Sequence, residues 1–155
     1  MFAASVVSGC SRRDGFTLIE VLLVAVVIAI IAVIAIPRIL VGARHAREAA
    51  LVGDLREIRA AVNRFEANTG CYPRQLADLM LATAPPTGID SSGAAKPIDP
   101  NDYIGPYLTN PDGLMTRDPI TGEADWVYST RPPTVGQVHS SAAGISLDGI
   151  AYSDL

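Results

Sequence analysis

The stretch Gly15-Phe16-Thr17-Leu18-Ile19-Glu20 opens an uninterrupted apolar run over residues 21–36, and its reading decides the fold of this 155-residue chain. Residues 16–36 number 21, and Glu20 is the only ionisable side chain among them. As a helix they measure roughly 32 Å at about 1.5 Å per residue, the thickness of a bilayer core. The acid is the anomaly. A carboxylate at the centre of a membrane helix costs about 2.5–3.5 kcal/mol, and somewhat less toward the interface. It therefore calls for a partner, or else it snorkels to the interface at the cytoplasmic end of an ordinary anchor.

A glycine, an aromatic residue, then Thr17-Leu18-Ile19-Glu20 and a long apolar helix together resemble the N-terminus of the type IV pilin and type II secretion pseudopilin superfamily. The resemblance implies that a prepilin peptidase cuts between Gly15 and Phe16 on the cytoplasmic side, then methylates the new Phe16 amine. It also implies the missing partner. In an assembled filament the Glu20 carboxylate meets the charged Phe16 amine of a neighbouring subunit, which offsets the burial of both charges.

One modest domain fits beside a membrane segment in this length, and two cores do not. The hydrophobic content of 49% is inflated by the apolar run, and with three Phe, five Tyr and one Trp in the whole chain the head must be small. The net charge of −4 divides unevenly: residues 1–15 carry +1, residues 16–36 carry −1, residues 37–65 carry +3 and residues 66–155 carry −7. A basic stem bears an acidic head. Either these charges are a solvated surface, or their opposite signs help subunits pack along a fibre. No nucleic acid is expected as a partner, because the basic residues have no interleaved aromatics and match no fold signature for it.

Residues 1–15 lack the apolar segment of a secretory signal, and Val7-Ser8-Gly9-Cys10 lacks the basic and apolar stretches of a lipoprotein signal. They read as a short prepilin leader. Cleavage after Gly15 removes Cys10 and leaves Cys71 without an intrachain partner. Cys71 is then a buried small apolar residue or a free thiol able to cross-link. Arg12 and Arg13 before the span and Arg38, Arg44 and Arg47 after it pull the orientation in opposite directions. The resemblance places the leader in the cytoplasm and the remainder in the periplasm.

Pro37 follows the apolar run, removes one helical N–H and is expected to kink or locally open the helix, as a functional hinge or a tolerated bend. Leu51, Leu55, Ile58, Val62 and Phe65 then recur at spacings of 4, 3, 4 and 3, one apolar stripe on an amphipathic helix. The expected organisation is a leader over residues 1–15, a transmembrane half-helix over 16–36, an amphipathic periplasmic half over 37–67 and a globular head over 68–155. A continuous helix over residues 16–67 would be roughly 78 Å long.

Gly70 suits a left-handed helix C-cap, and Tyr72-Pro73 turns the chain. Residues 75–82 read as a short helix with Leu76, Leu79 and Met80 inward, and residues 83–107, rich in Pro, Gly, Ser and Asp, read as a long contact loop. Pro106-Tyr107-Leu108 and Asp118-Pro119-Ile120-Thr121-Gly122 resemble elements of the major, G-type pseudopilins. Residues 124–130, 135–141 and 144–147 read as three short antiparallel strands closing over the stem, with Trp126 or Tyr128 inward. The fold class is α+β, a long N-terminal helix packed against a small antiparallel β-sheet head.

Related major pseudopilins build a calcium loop where residues 147–155 lie. Asp112, Asp118, Asp125, Asp148 and Asp154 offer oxygens for the six to eight ligands calcium takes, but without regular loop spacing, and acidic turns are the alternative. No other cofactor is implied. His45 and His139 have no nucleophile elbow beside them, and no HExxH, phosphate loop or dinucleotide fingerprint occurs, so no enzyme is expected.

The expectation is a homo-oligomeric filament subunit of the type II secretion pseudopilus, anchored in the inner membrane and dependent on the peptidase, the assembly platform and minor pseudopilins. The alternatives are a type IV pilin for adhesion, motility or DNA uptake, and a membrane-anchored monomeric periplasmic binding domain.

Overall fold

The computed structural model describes residues 15–155, so the expected leader, Cys10 included, lies outside the described residues apart from Gly15. Helix α1 runs from Leu18 to Thr69, 52 residues, and the structure divides into two units at Val41 and Gly42. The first unit holds the half of α1 up to Val41, apolar apart from Glu20 and Arg38 and with no residue buried among those described. Its neighbour unit holds the amphipathic half of α1 together with the head.

Both ends of α1 are set by local hydrogen bonding rather than by hydrophobicity. The helix starts two residues later than expected because Thr17 caps it: the Glu20 N–H lies 3.3 Å from Thr17 Oγ1 and 3.1 Å from the Thr17 carbonyl oxygen. It ends two residues later because Thr69 Oγ1 donates back to the Phe65 carbonyl at 2.8 Å before Gly70, at φ 65°, turns the chain out of the helix. Helical conformation continues without interruption through Pro37, so the local opening expected there is not seen.

In the second unit the apolar stripe is buried as its spacing requires, with Leu51, Leu55, Ile58, Val62 and Phe65 each no more than 1% exposed. Ala61 is buried in the same core. The head covers this stripe with Cys71, Leu76, Leu79, Ile98, Tyr107, Leu108, Trp126, Val138 and Tyr152. Phe65 anchors an aromatic cluster, its ring edge-on to Tyr103 at 6.0 Å and to Tyr107 at 5.5 Å. Cys71 is buried and reduced, touching Thr69 Oγ1 at 3.3 Å. Gly88 lies so close that a Cβ there would sit 2.5 Å from the Cys71 sulfur, which fixes glycine at that point.

The head has very little sheet. Strands β1 (Thr87–Ile89) and β2 (Ala95–Pro97) form one antiparallel pair, and β3 (Val127–Tyr128) and β4 (Val138–His139) form another. The first pair lies inside the stretch expected to be a loop; Asp90 closes its turn by accepting the Ser92 and Ala94 N–H groups at 2.8 and 2.9 Å. The third strand expected over residues 144–147 is reduced to a single bridge between Ile145 and Ala151. The short helix expected over residues 75–82 is a 3-10 turn, Leu76–Met80, with Leu76 and Leu79 buried.

With so few ladder bonds, side chains of α1 satisfy the head's main chain. Arg59 donates to the Val138 carbonyl at 2.7 Å and to the Leu155 oxygen at 2.6 Å, and Arg64 donates to the Tyr107 carbonyl at 3.0 Å. Glu48, 8% exposed, accepts the Leu147 N–H at 3.1 Å, the Tyr152 hydroxyl at 2.8 Å and Arg44 Nε at 3.0 Å. Arg44 in turn reaches the Ile145 carbonyl at 2.6 Å. Burial, the largest single influence, pushes the Glu48 pKa up, but the Leu147 N–H, the Tyr152 hydroxyl and Arg44 outweigh it and hold the carboxyl below its ordinary value.

Two expectations follow. Phe65→Ala should cost about 3–5 kcal/mol, as a large ring removed from a rigid core, read as a lower denaturation midpoint of the full chain in detergent. Because the folded Glu48 pKa is depressed, its contribution is complete above the ordinary glutamate range and is lost as pH falls through the lower folded value. The stability gap between wild type and Glu48→Gln should therefore be widest at neutral pH and shrink as pH falls below the ordinary glutamate range; a gap constant with pH would refute a stabilising role for the ionised Glu48 carboxylate.

Candidate functional site

Gly15, Phe16 and Thr17 precede the helix in non-helical conformation, and all three are exposed. Phe16 is 81% exposed, and no atom stands within 4 Å of where a Gly15 Cβ would be. Thr17-Leu18-Ile19-Glu20 has the T-x-x-E spacing of a capping box, with Thr17 as N-cap and Glu20 at the third helical position. Half of the box forms. Thr17 takes the Glu20 N–H, while the Glu20 carboxylate makes no hydrogen bond or ion pair among the described residues. It stands in the first turn of α1, where the positive end of the helix dipole favours an anion.

This arrangement has two chemical consequences. Gly15 and Phe16 are non-helical and exposed, so the bond between them is open to solvent. The acid is left with its oxygens unused on a helix whose apolar side chains from Leu18 to Val41 are themselves exposed. The described residues contain one helix long and apolar enough to cross a membrane, with a mean hydropathy of 3.3 in its most apolar window and none of that window buried. The T-x-x-E spacing is the signal in the sequence for Thr17 as the cap.

The five aspartates considered for calcium are not brought together. Asp112, Asp148 and Asp154 are exposed on separate turns. Asp118 is completely buried; its carboxylate takes the Ile120 N–H at 2.7 Å, the Thr121 N–H at 3.4 Å and the Ser140 hydroxyl. Asp125 takes the Thr121 hydroxyl at 2.7 Å and the Ser141 hydroxyl, and these bonds, Ser141 first, hold its pKa below the ordinary value. A cation requires lone pairs turned toward it, whereas these oxygens face N–H and O–H donors. No three His, Cys, Asp or Glu side chains converge on a metal-sized site among the described residues. These residues do not fit a calcium ion.

The stem cations are also sorted by the structure. Arg44, Arg59 and Arg64 are committed to the head, while Arg38, Arg47 and Arg56 are exposed and make no hydrogen bond or ion pair among the described residues. Asp54, partly buried on the same half of α1, has its pKa raised by that burial and then by Glu57 and Asp118. Glu48 is the functional group that sequence reasoning overlooked. Its spacing of three before Leu51 places it on the buried stripe, and its spacing of four after Arg44 supplies the ion pair.

The prokaryotic N-terminal methylation motif matches residues 10–36. Over 117 residues, covering 68% of this chain and 82% of the relative, the sequence is 30% identical to type II secretion system core protein G of Pseudomonas aeruginosa. No solved structure matches the chain. The methylation motif falls on the open Gly15–Glu20 segment and the apolar half of α1, and the similarity to the relative extends over two thirds of the chain, well beyond that segment. The chain belongs to the family of type II secretion system core protein G, the G-type pseudopilins.

Proposed function

We propose that a prepilin peptidase cleaves this chain between Gly15 and Phe16 at the cytoplasmic face of the inner membrane and N-methylates Phe16. The mature chain then assembles into a periplasmic pseudopilus that serves protein secretion. The observation that carries this reading is the methylation motif over residues 10–36, falling where Gly15 and Phe16 are non-helical and exposed.

The half-helix over residues 16–36 holds the subunit in lipid before assembly. Once the Phe16 amine is freed it is a cation, and Glu20 is an acid four residues along the same chain. Within a bundle of apolar helices each charge alone is costly to bury, and a neighbouring subunit's Phe16 amine against Glu20 offsets both. The pairing also sets register, because a subunit displaced along the fibre leaves both charges unmatched. Pro37, which has no N–H to give the Val33 carbonyl, marks where α1 yields most readily as the subunit leaves the membrane. The head projects into the periplasm. The chain is a substrate for its peptidase and a building block, not a catalyst, and the assembly platform and minor pseudopilins are its working partners.

Intact mass and N-terminal sequence of the protein from membranes containing the peptidase should give a chain that starts at N-methylated Phe16. A chain that retains residues 1–15 in the presence of active peptidase overturns the processing step. Glu20→Ala should abolish sedimentable filaments while leaving the processed subunit in the membrane at wild-type abundance. Filaments of normal yield from that variant would remove Glu20 from assembly.

A further inference from the structure

We propose that the head of this pseudopilin closes without a metal ion: the Glu48 carboxylate on the stem, with the Asp118 and Asp125 hydroxyl pairs, fastens the C-terminal segment in place of calcium. A site built for an ion and lacking it leaves buried oxygens without partners. Among the described residues no buried side-chain nitrogen or oxygen lacks one.

The donors are all supplied by the protein. Asp118, the deepest of the acids, is met by two backbone N–H groups and by Ser140, the residue that directly follows β4. Its neighbour Ser141 closes on Asp125, so two successive serines tie the segment after β4 to the loop before β3. Farther on, the backbone turns at residues 146–149, where the Gly149 N–H donates to the Ser146 carbonyl at 3.0 Å and the Ser146 N–H to the Ile150 carbonyl at 2.7 Å. That turn presents the Leu147 N–H to Glu48, and Tyr152, 5% exposed, brings its hydroxyl to the same carboxylate.

The charge pattern agrees with the geometry. A calcium loop gathers carboxylates around a cation it must import. Here the cation beside the central acid is Arg44, whose guanidinium spans Glu48 and the Ile145 carbonyl. One α1 turn thus carries both the acid and its counter-charge, and the C-terminal segment contributes only N–H, O–H and carbonyl groups to them. The other titratable groups beside this point, His45, Arg56 and Asp148, line a cavity of about 360 Å³ next to Glu48. None of them hydrogen-bonds to the Glu48 carboxylate. An additional divalent cation here would face Arg44 directly.

The test uses the full chain in detergent micelles, followed by hydrogen exchange over residues 144–155 and by thermal unfolding read from Trp126 fluorescence. Chelator and excess calcium should leave the exchange and the melting temperature unchanged. A calcium site with a dissociation constant of about 1 mM, supplied with about a tenfold excess of the ion, would instead raise the melting temperature by about 5 °C or more. Glu48→Ala should speed exchange at Leu147 and Tyr152 by at least about tenfold, the size of one lost charge-assisted hydrogen bond. Tyr152→Phe keeps the ring and removes one donor, and should speed exchange in the same segment to a smaller degree; it decides the question if Glu48→Ala fails to fold. Faster exchange with chelator, a calcium-dependent rise in melting temperature, or wild-type exchange in both variants overturns the proposal. The readouts are made on the isolated chain, so they stand whether or not it is processed at Gly15 or assembled.

Discussion

One face of α1 between Leu51 and Phe65 must be covered, and the head is what covers it. Each large apolar side chain taken fully out of water there contributes about 1.5–3 kcal/mol, and five of them lie on a stripe no more than 1% exposed. The head has no comparable source of cohesion of its own. Its two strand pairs contain three and two residues per strand, it has no disulfide among the described residues, and its long connections carry mostly turns. Stem and head are therefore one folding unit, and a change on the stripe is felt by segments far away in sequence.

Burying that stripe under irregular chain creates a second requirement. Loops laid over an apolar helix bring main-chain carbonyls with them, and a buried carbonyl without a donor costs about 1–3 kcal/mol. Sheet would normally meet the demand. In this head arginines do it instead: Arg44, Arg59 and Arg64 leave the polar flank of α1 and bond the carbonyls of Ile145, Val138 and Tyr107. A guanidinium suits the task because its several N–H groups lie in one plane and stay charged at any physiological pH. The excess of positive charge on the stem is thus partly structural, which leaves Arg38, Arg47 and Arg56 as its exposed remainder.

The legibility of this chain in sequence follows the same physics. The two halves of α1 were readable because each has a strong, regular signal, one apolar throughout and one with a stripe at helical spacing, and the Gly15–Glu20 segment carries a resemblance that family membership bears out. The strand pairing was not readable. Thr87-Gly88-Ile89 and Ala95-Lys96-Pro97 have neither alternation nor β-branched runs, and their pairing is imposed by the Asp90 turn and by contact with Tyr72. The segment over residues 144–147 has strand-like residues but no neighbour long enough to pair with, and forms one bridge. Glu48 escaped notice because an acid on an apolar stripe looks like an interruption, and only the Leu147 N–H and Tyr152 hydroxyl, about a hundred residues away, explain it.

Glu20 and Glu48 stand on the same helix as two solutions to one problem. Both are acids on faces that are otherwise apolar, and an acid in such a place persists only where donors compensate its desolvation. Glu48 finds its donors inside the subunit, so it holds the fold shut in the monomer. The Glu20 carboxylate finds none among the described residues. The division of α1 at Val41 and Gly42 thus separates a half that folds with the head and pairs its acid internally from an apolar half whose acid makes no pair among the described residues.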